Sequence, residues 1–171
     1  MLTESDGGVS IVVASVATLD AEEEGGEHLA RMLGVRPPPS WPPEHNDATT
    51  REWMRNLLRQ NPGESGYSSW YLIVDGELVG ILGYTGPPDA TGTVEIGYSV
   101  VPERQRRGYA SAGIALLVRR AFADPKVRAV AAHTLADGIA SQGALLKAGF
   151  SLVGRSVDPE AGEVLRYELK R

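Results

Sequence analysis

VEIGYSVVPERQRRGYASAGIALLVRRAF, Val94–Phe122, is the stretch on which the fold turns. VEIGYSVV is rich in β-branched and aromatic residues. It sets apolar Val94, Ile96, Tyr98 and Val100 against Glu95, Gly97 and Ser99, the period of a half-buried strand. Pro102 has no N–H for a ladder and ends that strand. Beyond Gly108, apolar Ile114, Leu117, Val118, Ala121 and Phe122 recur at i, i+3, i+4, i+7 and i+8, which predicts a helix packed on a sheet until Asp124-Pro125. Between them lies Gln105-Arg106-Arg107-Gly108-Tyr109-Ala110, where small Gly108 and Ala110 let a ligand approach the backbone. The first N–H groups of a helix lack intrahelical partners and sit at the positive end of its dipole, so this turn is suited to an anion. Arg104, Arg106 and Arg107 add positive charge nearby.

VVPERQRRGYA is similar to the [Q/R]-x-x-G-x-[G/A] signature of the GNAT superfamily of N-acetyltransferases, whose turn cradles the pyrophosphate of acetyl-CoA. Its context strengthens the match: a strand ending in Val-Pro precedes it and an amphipathic helix follows. A second element, AAHTLADGIASQGALLKAGF (Ala131 to Phe150), resembles the strand, loop and helix of the branch containing the ribosomal-protein N-terminal acetyltransferases, N-x-x-S-x-x-x-L-x-K-x-G-F. Ser141, Leu145, Lys147, Gly149 and Phe150 fit it, whereas Gly138 stands where asparagine is usual. With the EIGY strand and the WPP segment, the resemblance covers most of the chain.

Composition narrows the choice of function. A chain of 171 residues is the size of one domain, expected over residues 1–171. No run approaches the roughly twenty apolar residues that span a bilayer, and the opening MLTESDGG does not resemble a secretory signal. The absence of cysteine excludes disulfides and thiolate catalysis, and a cytoplasmic protein is expected. A net charge of −5 disfavours a general nucleic-acid binder, and no membrane partner is expected. His28, His45 and His133 show no ligand spacing, so no metal is expected.

In chain order, Val9 to Leu19 reads as a first strand by its β-branched content. Asp20, three residues before Glu23, reads as the start of a helix that Gly25 and Gly26 weaken. RPPPSWPP (Arg36 to Pro43) forbids regular structure and is either a plain linker or, by the resemblance, a wall of the acceptor site. Asp47 caps a helix from Ala48 to Gln60 with Trp53, Met54, Leu57 and Leu58 as one apolar stripe, ended by Asn61-Pro62-Gly63. Trp70 to Val74 and Glu77 to Tyr84 form a hairpin through Asp75-Gly76 and, with the central strand, an antiparallel meander. Val127 to Thr134 is a buried strand parallel to the central one, Ile139 to Ala148 a short helix, and Phe150 to Val157 with Val164 to Leu169 a closing hairpin. The resulting fold class is α+β. In the resembling fold it is a mixed, mostly antiparallel sheet of about seven strands, flanked by about four helices, with splayed central parallel strands.

The resemblance implies acetyl-CoA as co-substrate and an amine acceptor, with direct transfer in a ternary complex. It places Ser99, Val100 and Val101 along the pantetheine arm, and Gln105, Arg106, Arg107, Gly108, Tyr109 and Ala110 at the pyrophosphate, with Ser141 and Lys147 also on the cofactor. Trp41, Trp53 and Tyr98 would line the acceptor side, and a homodimer is expected. An alkylamine is mostly protonated at neutral pH and must lose a proton, for which Glu95 and His133 compete as base. Ser141 either bonds the sulfur or pantetheine or caps its helix. Leu145 occupies the position of the tyrosine that many relatives use to protonate the leaving thiolate. A protein that binds acetyl-CoA as a sensor without turnover is the second function class kept open.

Overall fold

The computed structural model describes residues 1–62 and 66–171, so Gly63 of the expected stop Asn61-Pro62-Gly63 lies outside the described residues. The elements are β1 (Thr3–Asp6), β2 (Val9–Val13), α1 (Val16–Glu24), α2 (Gly26–Leu33), α3 (Ala48–Gln60), β3 (Ser69–Val74), β4 (Glu77–Tyr84), β5 (Thr93–Val100), α4 (Tyr109–Ala123), β6 (Ala129–Leu135), α5 (Ile139–Lys147), β7 (Ser151–Asp158) and β8 (Gly162–Lys170), with a 3-10 turn at Pro102–Arg104. The strands form one 8-stranded sheet in the order β1-β2-β3-β4-β5-β6-β8-β7. Every neighbouring pair is antiparallel except β5 and β6, which are parallel through the α4 crossover. The α+β class and the splayed parallel pair match the expectation.

The strand and helix counts exceed it by one each, and the cause is local. Val9–Leu19 is not one strand. Thr18 N–H donates to Ser15 Oγ at 3.2 Å while Ser15 N–H donates to Thr18 Oγ1 at 2.8 Å, a reciprocal cap that turns the chain from strand to helix at Ser15. Gly25, at φ 121°, then separates α1 from α2, so the helix does not start at Asp20. The added strand is β1, folded onto β2 through Gly7-Gly8. Asp47 caps α3 as expected, accepting from Thr50 N–H at 2.9 Å.

Two apolar layers sandwich the sheet. Trp70, Leu72, Val94, Ile96, Ile114, Leu117 and Leu145 belong to the cluster under α4 and α5. Gly113 lets α4 sit close, since a Cβ there would lie 2.8 Å from Leu82 Cδ1. On the opposite face Leu19, Leu29, Tyr71 and Leu78 pack under α1 and α2, with Trp41, Met54 and Leu58 against them. The α3 stripe needs correction. Trp53 is 45% exposed, whereas Arg55 is buried, its guanidinium held by Asp20, Glu23 and Glu52 at 2.9–3.1 Å. The long stem of Arg55 covers apolar surface while its head reaches the three carboxylates at the rim.

A carboxylate is also buried in this layer. Glu22 Oε1 accepts from Asn46 Nδ2 at 2.7 Å and Oε2 from the Tyr71 hydroxyl at 2.9 Å. Trp41 Nε1 is buried beside it without closing a hydrogen bond, though it lies near enough to favour the ionised form. Burial outweighs these partners and raises the Glu22 carboxyl above its ordinary range. Folding therefore favours the neutral acid: this stabilisation is full below the unfolded pKa, near 4.5, and is lost as pH rises through the raised folded value. Glu22→Gln should accordingly gain Tm relative to wild type as pH rises above 4.5 in a pH series of thermal melts; a Tm difference that does not change with pH would contradict burial as the cause.

Candidate active site

Strands β5 and β6 pair at Thr93/Ala129, Val94/Val130, Glu95/Ala131 and Ile96/Ala132, and no further. β5 nevertheless continues to Val100 along β4, and β6 to Leu135 along β8. Between Gly97–Val100 and His133–Leu135 the sheet therefore opens into a gap. In β4, Val79 is an extra residue between Leu78 and Gly80, and this bulge adds local twist where β5 ends.

Which backbone groups line the gap follows from the ladder. Glu95 O accepts from Thr85 N and Val101 N donates to Val79 O, so odd-numbered residues of this stretch turn toward β4 and even-numbered ones toward β6. Gln105 Nε2 donates to Val100 O at 2.9 Å, on the gap side. The groups left in the gap are the N–H and C=O of Tyr98 and the N–H of Val100. Ser99, expected along the pantetheine arm, instead spends its backbone groups on β4, and Val101, also expected there, donates its N–H to Val79 O and accepts at its C=O from Arg104 N–H. The Gln105 side chain ties the turn to the end of β5.

At the head of the gap, Arg106 (φ 62°) and Gly108 (φ 80°) bend the chain into α4, and no side chain caps the helix. Arg104 is not part of this cationic group: it forms a bidentate pair with Glu77 at 2.7 and 3.1 Å that fastens the 3-10 turn to β4. Lys147, at the end of α5, takes its place, with Nζ only 3.0 Å from where a Cβ on Gly108 would sit. Arg106 and Arg107 are exposed, and among the described residues no ion pair involves Arg106, Arg107 or Lys147. Three cations at the positive end of a helix repel one another and the dipole, and a polyanion relieves that field. Tyr109 and Ala110 form the first helical residues there.

On the sheet face away from α4, Glu95 and His133 meet. Because Glu95 pairs with Ala131, His133 lies two residues farther on the same face, and its Nδ1 is 2.6 Å from Glu95 Oε1. An ionised carboxylate only accepts, so Nδ1 carries the hydrogen and Nε2 is left to accept a proton. The two residues that competed as base are thus one dyad. Both side chains are partly open to solvent, at 35% and 40% exposure.

The remaining expected residues fall differently. Tyr98 points to the α5 side and donates its hydroxyl to Ser141 O at 2.9 Å, bridging the gap. Burial pushes its pKa up to about 12, so it holds its proton at working pH. Ser141 does not cap α5, whose N-cap is Gly138 with no side-chain hydrogen bond, and the residue is half-buried. Trp41 packs against the α1–α2 core. Trp53 lies one turn before Leu57, which faces Gly86, next to the Thr85 that binds Glu95 O. Leu145, in place of the usual tyrosine, is fully buried in the core. Among the described residues no group of three or more His, Asp or Glu could hold a metal ion. Among the described residues, no helix is long and apolar enough to cross a membrane.

Residues 22–151 match the family model for the acetyltransferase (GNAT) domain. The chain belongs to the GNAT acetyltransferase family. It is 28% identical over 145 residues to Bacillus subtilis (strain 168) YjdG, a protein named as an N-acetyltransferase, covering 84% of this chain and 86% of that one. The ribosomal alpha-N-protein acetyltransferase RimL in complex with coenzyme A superposes with TM-score 0.74 at 16% identity, covering 98% of this chain and 96% of that one. The microcin C7 self-immunity acetyltransferase MccE, in complex with acetyl-CoA and AMP, gives TM-score 0.71 at 14% identity over 97% and 94% of the two chains. Acetyl-CoA is the family's acetyl donor. The gap, its free Tyr98 and Val100 groups and the cationic helix end suit an amide-bearing arm with a polyphosphate head.

Gly108→Glu, which adds a negative side chain at a left-handed position beside Lys147, should abolish acetyl-CoA binding in isothermal titration. Lys147→Ala should weaken it about threefold to tenfold, more at low salt. Unchanged affinity in both folded variants, checked by circular dichroism, would place the pyrophosphate elsewhere.

Proposed function

We propose that this protein moves the acetyl group of acetyl-CoA directly to a primary amine, a protein N-terminus or a small-molecule amine, with both substrates bound at once. The observation that carries this reading is the 2.6 Å contact between Glu95 Oε1 and His133 Nδ1 beside the gap. It favours turnover over a binding-only sensor, because a gap that merely held acetyl-CoA has no need of an oriented base on its acceptor face.

In this mechanism Arg106, Arg107, Lys147 and the N–H groups opening α4 hold the pyrophosphate, while Tyr98 and Val100 hold the pantetheine arm as a neighbouring strand would. One of the Tyr98 and Val100 N–H groups faces the thioester carbonyl and stabilises the negative charge that develops on its oxygen. Glu95 fixes the His133 ring and stabilises it when charged. His133 Nε2 takes the proton that the amine nitrogen loses as it bonds to the acetyl carbon. The acceptor approaches over the open face that carries Glu95 and His133, with exposed Trp53 at its margin. Ser141, at the start of α5, lies on the opposite side of the gap, within the cofactor's reach.

The lack of cysteine suits the reducing cytoplasm, which we propose as the location. Exposed Leu152, Val153 and Val157 on the edge strand β7 suit a contact between two copies.

With an amine acceptor found by a thiol-release screen, His133→Ala should lower kcat by about 10²- to 10⁴-fold and leave acetyl-CoA affinity unchanged. Glu95→Gln should lower kcat by a smaller factor. Full activity of His133→Ala would exclude the dyad as the base.

A further inference from the structure

Among the described residues three buried side-chain polar atoms have no hydrogen-bond partner: Trp41 Nε1, Arg51 Nε and Thr134 Oγ1. The first two flank the Glu22 carboxylate, whose charge both favour. Thr134 has no such neighbour. It is 7% exposed, closed to water, and its hydroxyl can rotate to any donor or acceptor within reach. A hydroxyl left orphaned under those conditions is rare in a folded protein and calls for an explanation.

Its position supplies one. Thr134 is the second residue of β6 past Ala132, the last to pair with β5, and continuing that register would set it opposite Tyr98 across the gap. His133 and Leu135 are exposed and Thr134 between them is buried, so Thr134 lies on the face opposite the Glu95–His133 dyad. An amine that gives its proton to His133 arrives on one face of the gap, and the group displaced by its attack leaves toward the other. Two other hydroxyls on that side have a partner or access to water. Tyr98 is committed to Ser141 O, and Ser141 is only half-buried, where water can serve it. Leu145 carries no hydroxyl.

We propose that the Thr134 hydroxyl is the hydrogen-bond donor to the coenzyme A sulfur, filling part of the role left by the missing tyrosine. The inference rests on the acetyl-transfer reading above. As the amine nitrogen bonds to the acetyl carbon, the C–S bond breaks and its electron pair passes to sulfur. Thr134 O–H donates a hydrogen bond to that thiolate without losing its proton. The proton released by the amine goes to His133, and the thiolate takes one from solvent after it departs.

The test compares coenzyme A with desulfo-coenzyme A, in which hydrogen replaces the thiol, by isothermal titration of wild type, Thr134→Val and Thr134→Ser, with Tm measured on each free protein. Thr134→Val, which keeps the shape and removes the orphan, should leave Tm unchanged or raise it. It should weaken coenzyme A about threefold to tenfold and leave desulfo-coenzyme A as in wild type, while Thr134→Ser keeps wild-type affinity for both. Unchanged coenzyme A affinity in Thr134→Val would overturn the proposal. So would an equal loss with both ligands, which moves the contact to the pantetheine arm, or a clear fall in Tm, which means the hydroxyl already has a partner. A blank titration of wild type with both ligands would remove the acetyl-CoA reading itself, an outcome distinct from the other three.

Discussion

The site depends on the loss of pairing between two parallel strands after Ile96 and Ala132. A sheet interior normally satisfies every backbone group, and unpaired ones sealed from water are expensive. Here β5 and β6 each keep a partner on the outer side, β4 and β8, while their inner edges part. The opening is held from several directions. The Val79 bulge twists β4 at the end of β5, the Tyr98 hydroxyl spans to α5, and Ser111 Oγ donates to Ala144 O at 3.0 Å to lock α4 against α5. An edge with free amide groups inside a rigid sheet accepts an extended, amide-bearing ligand without reorganising.

The gap also separates roles. Its head carries Arg106, Arg107 and Lys147 at an uncapped helix end, one face carries the Glu95–His133 dyad, and the other carries Tyr98, Thr134 and the start of α5. One end concentrates positive charge, one face carries a carboxylate–imidazole contact, and the other holds the buried Thr134. Each property comes from a different element, and the parallel register brings them together. A shift of one residue between β5 and β6 would turn His133 to the wrong face and separate it from Glu95.

Much of this was legible in the sequence where the signal is local. Asp75-Gly76 between two apolar runs gave the hairpin, Asp47 the start of α3, and the period-three-to-four pattern after Gly108 the cofactor helix. Local signals failed where two readings share a composition. β-branched residues recur from Val9 to Thr18, yet the Ser15–Thr18 cap makes the second half of Val9–Leu19 helical. The Gly7-Gly8 turn that folds β1 onto β2 was passed over, although two glycines ahead of a β-branched run are a hairpin signal. Burial on α3 went to Arg55 rather than Trp53 because three carboxylates converge on the guanidinium, two of them from α1, which no helical period encodes. Glu95 and His133 were each visible as candidate bases, but their contact depends on long-range register. Thr134 could have been found by counting: on an alternating strand, the neighbour of an exposed histidine faces inward.

Hydrogen–deuterium exchange of backbone amides with and without acetyl-CoA tests the central claim most directly, because it reads the N–H groups themselves. If the splayed edge and the helix end hold the ligand, acetyl-CoA should slow exchange at Tyr98, Val100 and the first amides of α4, Tyr109 to Ser111. Ser99 and Val101, already bonded to β4, should change little. Protection that spares Tyr98 and Val100, or that falls on another part of the sheet, would contradict the account.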